Sequence, residues 1–285
     1  MNPRALFAWS VRRELWENRA IYFAPLAVAV LAFAGFLFHI IHWASSPVVA
    51  KLGNTAMIGA FPYSAAASMI LLTSWIVGIF YTADALHGER RDRSILFWKS
   101  MPVSDLVTVG AKASVPLLVI PLIACAIAFT TQLVMLVAAV AVHAGSGKDP
   151  ATAWNAWPMA RQTVVMLYGM GIHALWFAPI YGWLLLVSGW ASRAPLLWAV
   201  VPVIGLSILE RIALGSSWVP SAVNYRVLGA MREGFTKDAL RQPITQLSQL
   251  DPERFFSNPH LWIGLVIAAA FIALAVRLRR HREPS

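Results

Sequence analysis

Charge is scarce in this chain. Of its 285 residues only 13% are Asp, Glu, Lys or Arg, against roughly 25% in ordinary soluble domains. Cysteine is nearly absent: Cys125 stands alone in an apolar run, which excludes an intrachain disulfide and a cysteine-built metal site. No H-E-x-x-H string occurs and the seven histidines are scattered, so a zinc enzyme has no ligand set. What the chain has in abundance is apolar surface, with 59% hydrophobic residues and a mean hydropathy of +0.64. Six bilayer crossings of about 20 residues each would use about 120 residues and leave room for loops. This composition excludes a secreted disulfide scaffold, a disordered chain and a conventional water-soluble enzyme. The expected class is an all-α integral membrane protein with six transmembrane helices.

Acidic residues are also few, 13 against 23 Lys plus Arg, giving a formal charge of +10. The basic residues flank apolar spans rather than covering a soluble module, so no nucleic acid is expected as a partner. The spans are expected at about 22–42, 63–82, 113–143, 163–190, 196–214 and 260–276. Six spans put both termini on one side, and fourteen of the 23 basic residues, from Arg4 to Arg282, then flank that side. The short loops opposite hold only Lys51, Lys148 and Arg161. The positive-inside rule therefore predicts both ends in the cytoplasm.

Residues 1–20 read as an amphipathic helix. Leu6, Trp9, Arg13 and Trp16 follow helical spacing, and Arg4, Arg12, Arg13 and Arg19 supply cations for lipid headgroups. Glu14 and Glu17 precede the first apolar run without a small-residue cleavage site, so no removable signal peptide is expected. Pro116 and Pro121 should kink the third span. A loop is expected from Gly145 to Arg161. The short turn Ala191–Pro195 should join spans four and five as an antiparallel hairpin. Residues 215–259 are too polar for a full crossing, and Pro220, Pro243, Pro252 and Pro259 should break that stretch into pieces.

Several strings imitate catalytic motifs. Gly145-Ser146-Gly147-Lys148 resembles the end of a P-loop, but the earlier glycine of G-x-x-x-x-G-K-[ST] falls on Val142, and Asp149 replaces the magnesium-binding hydroxyl. The chain is expected to bind no nucleotide through it. Ser207, with His260 as a conceivable base, suggests an intramembrane hydrolase; back-bonding of Ser207 within its own helix is the simpler expectation. His173, Trp176, Ile180 and Trp183 share one face of a continuous fourth span and are candidates to line a substrate path, since ionisable residues inside a membrane tend to be functional. The competing expectation is a packed histidine making one hydrogen bond.

The segment from Gly88 to Asp105 stands apart. It carries the charges of GERRDR, then Ile95-Leu96-Phe97-Trp98, an apolar run too short to span, then Pro102-Val103-Ser104-Asp105. Aromatic anchors ringed by charge suit a protein–protein hot spot. Ser104 and Asp105 should cap the helix into the third span.

GERRDRSILFWKSMPVSD, followed by Lys112, resembles the cytoplasmic loop of bacterial ABC-2-type transporter permeases, as does WFAPIYGWLLLVSGWASRAPLLW (Trp176–Trp198) the fourth and fifth spans of that group. The resemblance implies a membrane subunit in the bacterial inner membrane that pairs with a second permease subunit, identical or not. Each would engage a separate ABC ATP-binding subunit that carries ATP and Mg, with no cofactor on this chain. It places a coupling helix at about Asp92–Lys99, inside a cytoplasmic loop 84–112. Glu89, Arg90, Arg91, Arg93 and Lys99 would then make polar docking contacts, and Leu96, Phe97 and Trp98 would fill a pocket on the ATPase. It also implies that parts of the outer connection 215–259 dip back into the bilayer. The rivals are the Ser207 or His173 hydrolase and a non-transporting membrane scaffold.

Overall fold

The computed structural model describes residues 3–42, 55–92, 103–147, 149–237, 244 and 246–281. They are helical almost throughout, with no β-structure among the described residues beyond one bridge between Phe235 and Leu250. Five helices are long and apolar enough to cross a bilayer, or six if the pair Pro150–Trp176 and Ala178–Trp190 counts as one broken span. The chain is a multi-pass, all-α membrane protein.

The chain divides into two compact units. One comprises Ala20–Val77 and Ile120–Tyr168. It holds α2 (Ala20–His42), most of α3 (Thr55–Asp84), α6 (Ile120–Gly145), α7 (Pro150–Ala156) and the first half of α8 (Met159–Trp176). Hydrocarbon gives helices no hydrophobic reason to associate, so their packing rests on close contact between small residues and on shape. Ala29, Ile70 and Ala128 make one such contact. A second core joins Phe36, Tyr63, Met135 and Leu136 with Trp157. There the Tyr63 and Trp157 rings stack with centroids 5.0 Å apart. Gln132 Nε2 donates to the Tyr63 carbonyl at 3.2 Å, so this buried amide is satisfied by backbone. The expected loop from Gly145 to Arg161 is thus replaced in part by α7, which Asp149 caps by accepting from the Ala151 amide at 2.9 Å.

The other unit comprises Met1–Arg19, Gly78–Val119 and Gly169–Ser285. Its helices are α1 (Pro3–Glu17), the end of α3, α4 (His87–Arg91), α5 (Asp105–Ser114), the second half of α8, α9 (Ala178–Trp190), α10 (Pro195–Leu214), α11 (Trp218–Gly234), α12 (Pro252–Ser257) and α13 (Pro259–His281). Helix α9 lies against α13. Gly182 makes this possible: a Cβ there would stand 3.2 Å from the Ala268 carbonyl oxygen and 3.3 Å from Phe271 Cβ. The turn Ala191–Pro195 forms the expected hairpin, with Ala194 in the left-handed region at φ 45°. Trp183 Nε1 donates across it to the Ala199 carbonyl at 3.1 Å.

Proline explains where the helices differ from expectation. Between α5 and α6, residues Val115–Val119 form a π-helical turn containing Pro116, with Pro121 just beyond. The irregular turn falls at the prolines where a kink was expected, and the helical run starts at Asp105, well before residue 113. The fourth span is not continuous. Pro179 has no N–H for the Leu175 carbonyl, the helix breaks at Phe177, and α9 restarts with Pro179 in its first turn. The stretch 215–259 is divided into pieces as expected, and each described proline in it stands in the first turn of a helix. Pro220 lies in the first turn of α11, Pro252 opens α12 and Pro259 opens α13, where a missing N–H costs nothing. Pro243 lies outside the described residues. The second and last helical runs also reach further than expected, to Arg91 and His281.

Candidate functional site

The loop segment singled out by its sequence is rooted in a buried ion cluster. Arg93, Leu96, Phe97, Trp98 and Lys99 lie outside the described residues, but both ends of the segment are described. Before it, α4 carries Glu89; after it, α5 opens at Asp105 and carries Lys112. Ser104 caps α5 as expected, its Oγ accepting from the Val107 amide at 3.3 Å. Lys112 Nζ donates to Glu14 Oε1 and Oε2 at 2.9 and 3.1 Å and lies 3.2 Å from Glu89 Oε1. Arg13 Nη2 bridges the same two carboxylates, at 2.7 Å from Glu14 and 3.2 Å from Glu89. Tyr81, at the end of α3, donates its hydroxyl to Glu14 Oε2 at 2.8 Å. From the last helix, Arg279 reaches Glu89 Oε2 at 3.2 Å and Asp105 Oδ1 at 2.6 Å.

Three cations therefore face three carboxylates on four helices, α1, α4, α5 and α13. All but Asp105 are buried. Charges out of water are tolerated only when paired and hydrogen-bonded, and both oxygens of Glu14 and of Glu89 have partners. Burial pushes the Glu14 carboxyl up, but Lys112 and Arg13 outweigh it and hold Glu14 below its ordinary range. With its carboxylates occupied by cations, the cluster is built to hold helices in register.

A second set of bonds fixes α4 on the C-terminal end of α9. Ser188 Oγ accepts from the Leu86 and His87 amides at 2.9 and 3.0 Å, satisfying donors at the start of α4. In return Arg90 Nη2 donates to the Ser188 and Ala191 carbonyls at 2.7 and 2.6 Å. A cation there also suits the negative end of the α9 dipole. Each short helix end caps the other.

These positions revise the roles expected of several residues. Glu89 and Arg90 are buried against the chain's own groups, so they anchor the segment's root instead of making docking contacts at a surface. Arg91 is exposed and pairs with Asp92 at 3.1 Å. Arg13 does not sit with Trp9 and Trp16 toward headgroups: it is buried, while Trp9, Arg12 and Trp16 are exposed. Sequence spacing alone missed Glu14, Lys112 and Arg279 as one site. Lys112, an ammonium at the very edge of the third apolar run, was the available signal.

The face shared by His173, Trp176, Ile180 and Trp183 does not form, because the break at Phe177 ends its helical register. His173 stacks on Phe177 with centroids 4.5 Å apart, and its Nε2 lies 3.1 Å from the Tyr181 hydroxyl. Trp176 is fully buried. Its Nε1 donates to the Arg226 carbonyl at 2.9 Å, and the Arg226 guanidinium covers its ring at 4.6 Å. The break frees the Trp176 carbonyl, since the Ile180 amide turns to Phe177, and Arg226 Nη1 takes it at 3.3 Å. Arg226 Nη2 also caps the His260 carbonyl at 2.8 Å. Both candidate path residues are thus packed inside their unit.

Ser207 donates to the Val203 carbonyl of its own helix at 2.7 Å, as back-bonding predicts. Cys125 is buried. Among the described residues no group of three His, Cys, Asp or Glu is placed to hold a metal. Comparison of the chain with family models, curated proteins and solved structures finds no match.

Proposed function

We propose that the chain is the permease subunit of an ATP-driven ABC-2-type exporter of the bacterial inner membrane. It pairs with a second permease subunit and, through residues at about Asp92–Lys99, with a separate ATP-binding subunit on the cytoplasmic side. Both termini are cytoplasmic in this reading.

The observation that supports it most is the double anchoring of segment 93–102. Glu89 on one side and Asp105 and Lys112 on the other belong to one ion cluster, which also holds the first and last helices. A push on the segment by a closing ATPase would be delivered to α1, α5 and α13 together instead of being absorbed by a slack loop. The π-helical turn at Val115–Val119 follows directly, a feature that often marks places where a helix changes geometry. Coupling then works by rigid-body rocking between two packings. Leu96, Phe97 and Trp98 supply the apolar anchors, and Arg91, Arg93 and Lys99 the surrounding charge.

The test is purification of the tagged full chain with and without a co-expressed ATP-binding subunit. The chain alone should hydrolyse no ATP. Together they should copurify in equal numbers, and Trp98→Ala should abolish that association. Hydrolysis by the chain alone would overturn the reading.

A further inference from the structure

The geometry points to a binding site for anionic phospholipid headgroups on the outward face of α1. The helix has two working faces. Ser10, Arg13 and Glu14 are buried in their unit, while Trp9, Arg12 and Trp16, at i, i+3 and i+7, are exposed, with Arg19 exposed just beyond the helix. Trp16 is 60% exposed, and the Arg12 guanidinium lies over its ring at 4.7 Å. That stacking holds a cation at a fixed height beside an indole while leaving its N–H groups free to meet phosphate oxygens. The one exposed carboxylate on α1, Glu17, turns to Arg13 at 3.6 Å and so does not neutralise Arg12.

The occupant follows from position and charge. Helix α1 ends at Glu17, and α2, a membrane-crossing helix, begins at Ala20. Trp16 and Arg19 therefore stand at a bilayer boundary, the depth at which indole rings and arginines meet headgroups. Two exposed cations, Arg12 and Arg19, match a phosphodiester with net negative charge and gain nothing from a zwitterionic one. Because the other face of α1 supplies Arg13 and Glu14 to the ion cluster, a headgroup bound on Arg12 fixes the helix on which that cluster depends. The site needs neither ATP nor a partner subunit, so it stands apart from the transport reading.

The test uses the full chain in nonionic detergent, titrated with short-chain phosphatidylglycerol, short-chain phosphatidylcholine or inorganic phosphate while the melting temperature is followed. Phosphatidylglycerol should raise it, and the other two should not. Removing one interfacial charge costs about 1 kcal/mol, or about fivefold in half-saturating lipid. Arg12→Gln should show that loss, Arg12→Lys should show less, and Arg12→Gln with Arg19→Gln should lose at least tenfold. Arg232→Gln, an exposed charge on α11, should titrate like wild type. An equal response to phosphatidylcholine, an equal response to phosphate alone, or a wild-type titration by the double variant would each overturn the site.

Discussion

Replacing Lys112 by methionine keeps an unbranched stem of similar length and removes only the ammonium. In the wild type that ammonium, with its side chain 3% exposed, sits between Glu14 and Glu89 at 2.9 to 3.2 Å. Its loss leaves three carboxylates facing two guanidinium groups, so one negative charge stays buried without compensation. Breaking a buried pair on one side costs about 3–5 kcal/mol. At about 2–4 °C per kcal/mol for chains of this order of size, Lys112→Met should lower the melting temperature by on the order of 10 °C. Glu14→Gln should be costly for the opposite reason, leaving a buried cation in excess. The double variant removes one charge of each sign, so its cost should fall short of the sum of the two by about 1–3 kcal/mol. Thermal unfolding of the four proteins in one detergent measures the cycle. If Lys112→Met melts within 2 °C of wild type, or if the two costs simply add, the cluster does not hold the helices as argued.

Other outcomes follow from the same geometry. Glu14 titrates below its ordinary value, so its contribution is present above about pH 4.5 and fades as pH falls through its folded-state value; Glu17, raised by burial, acts in the opposite sense. Stability should therefore drop as pH falls below about 4.5, and Glu14→Gln should flatten that part of the curve. Arg90→Met should cost about 2–3 kcal/mol, because two buried carbonyls at the end of α9 lose a charged donor; Arg90→Lys should recover only part. Gly182→Leu should cost about 3 kcal/mol or prevent accumulation in the membrane, since a Cβ alone would stand 3.2 Å from the Ala268 carbonyl oxygen and 3.3 Å from Phe271 Cβ, with the rest of the side chain still to be placed. Each is read by thermal unfolding and by yield from membranes.

The crossings were legible because a bilayer imposes length and composition, and the apolar runs meet both. Local bonding was legible too. Ser104 caps α5, Ser207 bonds within its own helix, and Pro116 and Pro121 mark the irregular turn, because each effect acts over a few residues. The ion cluster was not legible, for its members come from positions 13, 14, 81, 89, 105, 112 and 279, and periodicity carries no information about which distant charges meet. Arg13 illustrates the difficulty, as helical spacing placed it with Trp9 and Trp16 and only the partners Glu14 and Glu89 decide that it turns inward. The break at Phe177 was readable from Pro179, but the apolar composition on both sides concealed it. In 215–259 the prolines did mark the pieces, since the same missing N–H that interrupts a helix is harmless in the first turn of the next.

The central claim is that this chain is driven through the segment anchored at Glu89 and Asp105. The most direct measurement is ATP-binding subunit retained per chain, with its ATPase activity, for wild type, Trp98→Ala and Trp154→Ala. Trp154 is 59% exposed on α7, in a loop expected on the opposite side of the membrane. Loss of about 2 kcal/mol at an aromatic anchor is roughly a thirtyfold loss of affinity. The account predicts that Trp98→Ala loses the partner, while Trp154→Ala keeps wild-type stoichiometry and activity. Full retention by Trp98→Ala together with loss in Trp154→Ala would contradict it, placing the docking site and the membrane orientation the other way round.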